Sequence, residues 1–260
     1  MSIDILVKIV YHPFMLNTYD DTPAGAPGRL ESAVEALRKQ PDYEFIEPKP
    51  ATEEQLLRVH RRDHIEEVKQ DAHLAKMALL AAGGAVLAGE LAVKGDPVFG
   101  LIRPPGHHAS RESIWGYCYF NNISVSLLNL RSRGLINSAF ILDFDLHEGD
   151  GNINILGSDK QITIYNPDGK GDANYLADAK SALDESPDVD IIVASAGFDQ
   201  YIDDWGSNLS TGAFRELGRM MYDFAKERCE GRRYALLEGG YNFKDLGKNT
   251  LAFCEGLRGA

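Results

Sequence analysis

Apolar and polar positions change period repeatedly along the chain, and each change marks an element. Residues 3–10 alternate and are β-branched, the pattern of an extended strand whose side chains i and i+2 share a face. A loop rich in Pro, Gly and Asp follows over 11–27, and helical spacing returns at 29–39. Further strand-like runs stand at 43–46, 98–102, 139–142, 162–165, 189–196 and 234–237, the run at 189–196 reading as a central parallel strand. Between them the spacing predicts helices over 64–69, 72–93, 119–133, 174–185, 211–229 and 244–257, with at most one turn at 153–156. Thr52 followed by Gln55 offers a capped helix start.

Strands alternating with helices predict the α/β class: a single domain over 1–260, with a mostly parallel sheet flanked by helices on both faces. No internal repeat, linker or low-complexity segment interrupts it. Polar clusters follow four of the strands, at 103–108, 143–150, 197–200 and 238–242. In parallel sheets ligands sit beyond the carboxyl ends of the strands, so these four clusters are expected to converge on one site.

Composition narrows the function. A net charge of -12 argues against direct nucleic-acid binding and against an anionic membrane surface, and it is compatible with a cationic substrate. Cys118, Cys229 and Cys254 are odd in number and lack CxxC spacing, which fits a reducing compartment and no thiolate zinc site. The first residues lack a basic leader, and no apolar run of about 18 residues is evident, so the expectation is a soluble, cytoplasmic chain.

The densest chemistry lies in Asp143-Phe144-Asp145-Leu146-His147-Glu148-Gly149-Asp150. Asp145 and His147 are two apart at a strand end, so a carboxylate and an imidazole meet on one face, half of a metal site. The plain alternative is a polar, Gly-rich turn. Asp199, directly after the strand at 189–196, would add a third ligand; alone it could equally be a helix cap. Two carboxylates and one imidazole suit Zn²⁺ or Fe²⁺ and leave room for water or substrate. His107 and His108 emerge together behind Arg103-Pro104-Pro105-Gly106, and Tyr241 follows Gly239-Gly240. Amide hydrolysis needs an activated water, a proton carrier and a polarised carbonyl, and these residue types supply them.

On these segments the sequence resembles the histone deacetylase and acetylpolyamine amidohydrolase superfamily, with its arginase/deacetylase fold. RPPGHHA (103–109), GYCYFNN (116–122), DFDLHEGDGN (143–152), SAGFD (195–199), NLSTGAFREL (208–217) and LEGGYN (237–242) stand in family order. The resemblance implies a hydrolase removing acyl groups, acetyl above all, from N-acylated amines such as acetyl-lysine or acetylpolyamines. It implies Asp145, His147 and Asp199 as metal ligands, and His108 with Asp150 as general base. His107 with Asp143 would give electrostatic help, and Tyr241 a hydrogen bond to the substrate carbonyl. Gly116 and Tyr117 would line the acyl channel, Arg29 would lie below the metal, and a structural monovalent cation (K⁺) would sit near Asp143. Carboxylates for a second metal are missing, since Gly149 and Tyr201 occupy those positions, which disfavours ureohydrolase activity.

The sequence leaves the family pattern at Glu148, where a second histidine is usual, and at Asn166-Pro167-Asp168, where Ser-x-His is usual. Two rim loops, after Ile65 and after Asn166, are short. The expectation is an intact centre under an open, shallow entrance, whose rim a second copy of the chain could rebuild. The rival reading is a catalytically weak module that binds acylated ligands.

Overall fold

In the computed structural model, residues 6–260 are described; residues 3–5 of the expected first strand lie outside them. Seven strands form one sheet: β1 (Val7–Val10), β2 (Tyr43–Ile46), β3 (Pro97–Gly100), β4 (Ala139–Asp143), β5 (Ile162–Tyr165), β6 (Ile191–Ala196) and β7 (Arg233–Leu237). Their order is β2-β1-β3-β7-β6-β4-β5, and every neighbouring pair is parallel. The helices are α1 (Glu31–Arg38), α2 (Glu53–Leu57), α3 (Arg62–Val68), α4 (Ala72–Ala92), α5 (Asn122–Ser132), α6 (Asp150–Leu156), α7 (Gly171–Glu185), α8 (Thr211–Arg228) and α9 (Leu246–Leu257).

Helices α4 and α5 pack together against the sheet, while α1, α8 and α9 form a second group. Central strands β4, β6 and β7 are consequently buried at every residue, and their sequences are apolar without alternation. The expected strand at 189–196 begins two residues late. Asp190 faces the loop instead, where its carboxylate accepts the N–H groups of Asn137 and Ser138 at 2.6 and 2.9 Å. Helix α5 starts at Asn122 rather than 119, because Asn121 caps it by accepting the Ser124 N–H at 2.9 Å. The capping box of Thr52 and Gln55 is present.

One expectation needs correcting. Helix α4 is long and apolar enough to cross a membrane by length and composition alone. Its polar residues His73, Lys76 and Glu90 fall near its ends, so the apolar middle runs longer than it reads. In the fold 67% of its most apolar window is buried, which makes it a core helix.

Strands β3, β7, β6 and β4 lie side by side. The four polar clusters therefore leave one edge of the sheet next to each other, as residues 101–108, 238–245, 197–200 and 144–150.

Candidate metal centre and active site

Asp145, His147 and Asp199 each offer a ligand atom, and these atoms lie within 4.8 Å of one another. Both carboxylates are buried, whereas His147 is exposed. The loop after β7 closes the other side: the Gly239 N–H donates to Asp145 Oδ2 at 2.8 Å. A Cβ on Gly239 would stand 2.5 Å from Asp199 Oδ2 and 2.6 Å from Asp145 Oδ2, so the cradle admits only glycine.

Asp199 Oδ2 is buried without a hydrogen-bond partner among the described residues. Burial, and then the nearby charge of Asp145, raises the Asp199 carboxyl above its ordinary range. Burial would also raise Asp145, but the charge of His107 and the bonds from His147 and Gly239 prevail and lower it. The Asp145 carboxylate, 3.2 Å from its Nδ1, and then the Asp199 carboxylate at 3.5 Å push His147 up to about 10. Two buried carboxylates, one with an unsatisfied oxygen, and an imidazole at the rim form a donor set that fits a divalent cation.

Two histidines flank this triad in unlike settings. His107 Nδ1 lies 3.2 Å from Asp143 Oδ2 and its Nε2 3.7 Å from Asp145 Oδ1. Burial opposes its charge, but Asp145 and Asp143 overcome burial and raise it well above the usual imidazole range. His108 Nδ1 lies 2.6 Å from Asp150 Oδ1. Burial and then the His107 charge lower it, against the pull of Asp150. Opposite influences thus act on the two adjacent imidazoles, drawing His107 toward its charged form and His108 toward its neutral one.

Both rings, with Asp145, His147, Gly116, Tyr117, Tyr241, Trp115 and Trp205, line a cavity of about 260 Å³. Tyr117 has φ 65°, left-handed for a side-chain-bearing residue, a strain of about 1–3 kcal/mol that places its ring on the wall. Arg29 was expected below the metal. It lies behind Tyr241, its guanidinium carbon 5.2 Å from that ring, and donates to the carbonyls of Glu238 and Gly240. It is fully buried and supports the turn carrying Tyr241 without lining the cavity. Glu148 is exposed and lines a neighbouring depression with Asn166, Asp168 and Lys170.

The Asp143 carbonyl, near which the resemblance sets a monovalent cation, accepts from Asn166 Nδ2 at 3.1 Å. The Asp143 carboxylate is engaged by His107 and by Asn152 Nδ2. An amide donor stands where a cation's charge would be needed, so these residues do not fit a cation held through Asp143.

Sequence reasoning missed several supports. Glu238 Oε2 accepts the N–H groups of Gly106 and His107 at 2.6 and 3.1 Å, tying the histidine loop to β7; its carboxyl is raised to about 7, chiefly by burial. Arg103 is fully buried and donates to the carbonyls of Met15, Asn17, Ala24 and Ala26, which orders the loop before α1. Asp204 accepts the N–H groups of Tyr241 and Asn242. A charged residue inside an apolar strand end, as in Leu237-Glu238-Gly239, was the available signal for Glu238.

A parallel sheet carrying this cluster at its carboxyl edge defines an α/β protein with a candidate metal site. The family model for the histone deacetylase domain matches residues 24–175 and 157–257, and the chain belongs to that family. A probable deacetylase of Archaeoglobus fulgidus is 27% identical, covering 92% of this chain and 82% of that protein. The histone deacetylase-like amidohydrolase of Pseudomonas aeruginosa is 27% identical, covering 89% and 75%. The polyamine deacetylase HDAC10 of Danio rerio is 25% identical over 90% of this chain, but only 44% of that protein. The crystal structure of the HDA15 HD domain superposes with a TM-score of 0.85 at 22% identity, over 98% of this chain and 90% of that one. That last likeness concerns the fold.

Proposed function

We propose that the chain is a metal-dependent deacylase that hydrolyses N-acyl amides of amines, with acetyl-lysine and acetylpolyamines as the substrate class. The observation that carries this reading is one cavity lined by Asp145, His147 and His108, with Asp199 behind the first two, its ligand atom within 4.8 Å of theirs, and Asp150 behind the third, 2.6 Å from its Nδ1. A zinc or ferrous ion held by Asp145, His147 and Asp199 would lower the pKa of water and polarise the acyl carbonyl.

The chain's own groups then divide the proton work. His108 donates Nδ1–H to Asp150, which leaves Nε2 as the free acceptor for a proton of the attacking water. Its depressed basicity keeps that nitrogen available at neutral pH. The new C–O bond forms first, and the C–N bond breaks once the proton taken by His108 has passed to the departing amine. His107 stays charged and stabilises negative charge gathering at the carbonyl. The Tyr241 hydroxyl, raised by burial and so kept protonated, donates to the same oxygen. Asp143 fixes the His107 ring, and Gly116 and Tyr117 bound the acyl group.

The test is acetate release from a fluorogenic acetyl-lysine substrate and from acetylated polyamines, with and without chelator. Chelation abolishes turnover and zinc or ferrous ion restores it. Tyr241→Phe keeps the metal and loses about a hundredfold in kcat. Turnover insensitive to chelation, or none on any acyl amide, would sink the proposal.

A further inference from the structure

Asp150 begins α6 with its side chain half exposed to solvent. An open carboxylate at a helix start has several rotamers, yet orienting His108 requires one. Three groups hold it. His108 Nδ1 and the Gly151 N–H meet Oδ1 at 2.6 and 3.0 Å. The third is the indole N–H of Trp115, 3.1 Å from Oδ1 and 2.9 Å from Oδ2. Apart from Trp115, no described residue donates to Oδ2.

The same tryptophan lies against the imidazole, with ring centroids 4.5 Å apart. Its backbone opens a tight turn in which the Cys118 N–H donates to the Trp115 carbonyl at 2.9 Å. The two central residues, Gly116 and Tyr117, are both left-handed, at φ 57° and 65°, the pattern of a type I′ turn. That turn presses on His108: a Cβ on Gly116 would stand 2.2 Å from His108 Cδ2. Gly116 backbone and Trp115 ring thus hold the imidazole, while the indole N–H holds the carboxylate.

We propose that Trp115 is a positioning residue for the His108–Asp150 pair, acting through Asp150; the inference rests on the deacylase reading above. Without the indole N–H, Asp150 is free to swing toward water, and His108 spends less time with Nε2 aimed into the cavity.

Trp115→Phe keeps a ring against His108 and removes only the donor. It lowers kcat about tenfold with KM, bound metal and Tm unchanged. In an Asp150→Ala background the same substitution has no further effect, because the acceptor that the indole holds is already gone. A kcat within about twofold of the parent, or the same tenfold fall in the Asp150→Ala background, would overturn the proposal. The contact itself is read independently of turnover. The chain has 2 tryptophans, so two indole N–H signals are resolvable by ¹⁵N NMR. Trp115 exchanges more slowly with water than Trp205, whose indole N–H has no protein partner among the described residues, and Asp150→Ala removes the difference. Equal exchange in the parent refutes the contact. If the parent turns over no acyl amide, the deacylase reading fails, while the exchange measurement still decides whether Trp115 holds Asp150.

Discussion

On the cavity floor, Asp145, Asp199, His107 and Glu238 are shut away from solvent, and backbone N–H groups or other side chains fix their oxygens and rings. At the mouth, Trp115 and Trp205 are each about half exposed (53% and 50%), and Tyr117 is only partly covered. The floor is held by buried charge, where each missing partner costs its full desolvation. The mouth is held by stacking: the Trp205 and Tyr241 rings lie 4.0 Å apart at 29°, and Tyr117 meets Tyr241 edge-on at 6.4 Å. A change on the floor should therefore abolish or unfold, whereas one at the mouth should retune.

The largest effect is expected at Asp199. Asp199→Ala removes a ligand and leaves the Leu146 N–H, 3.1 Å away, without its acceptor. Bound metal falls to background by elemental analysis, and kcat/KM drops by about a thousandfold or more. Retained metal with full rate would break the division between floor and mouth. Next comes Glu238→Ala, which orphans the buried N–H groups of Gly106 and His107. At about 1–3 kcal/mol for each orphaned donor, denaturant unfolding should register a loss of about 3 kcal/mol. A loss under about 1 kcal/mol would mean the histidine loop holds itself in place.

The same division explains what was legible in the sequence. All seven strands were readable, the central ones because apolar runs follow directly from burial on both faces and the first from its alternation. The triad could be assembled because short-range spacing and strand ends fix it: Asp145 and His147 share a segment, and β4 and β6 are neighbours. The two His–Asp pairs came from the family resemblance alone. Trp115 and Trp205 carry no such signal. Their placement depends on turn geometry at Gly116-Tyr117 and on the Asp204 turn, which no periodicity encodes. Arg29 came from the family resemblance for a related reason. Its position relative to the cavity is set by contacts with Glu238 and Gly240, more than two hundred residues away in sequence.

At the mouth, Trp205→Ala should be mild. It removes one stack, and aromatic pairs contribute about 0.5–1.5 kcal/mol. The expected result is a KM raised about threefold to tenfold, with a smaller change in kcat and an unchanged metal content. A collapse of kcat to the level of Tyr241→Phe would show that the stack, and not the Asp204 carboxylate beneath the Tyr241 backbone, sets the position of the phenol.

The smallest effect is expected at Glu148, although it is adjacent in sequence to His147 and is where the chain leaves its family pattern. Sequence adjacency overstates its reach. The segment after β4 bends over residues 145–147 and leaves Glu148 exposed to solvent. Glu148 accordingly lines the depression shared with Asn166, Asp168 and Lys170 and is absent from the wall of the catalytic cavity. Its backbone carbonyl still accepts the Asp150 N–H at 2.8 Å, a contact that any side chain at 148 preserves. Glu148→His should leave kcat/KM within about twofold and stability within about 0.5 kcal/mol, the range of exposed substitutions. A tenfold gain in rate would mean that the Glu148 charge is felt across the triad, and the floor would then extend one residue further than the burial pattern places it.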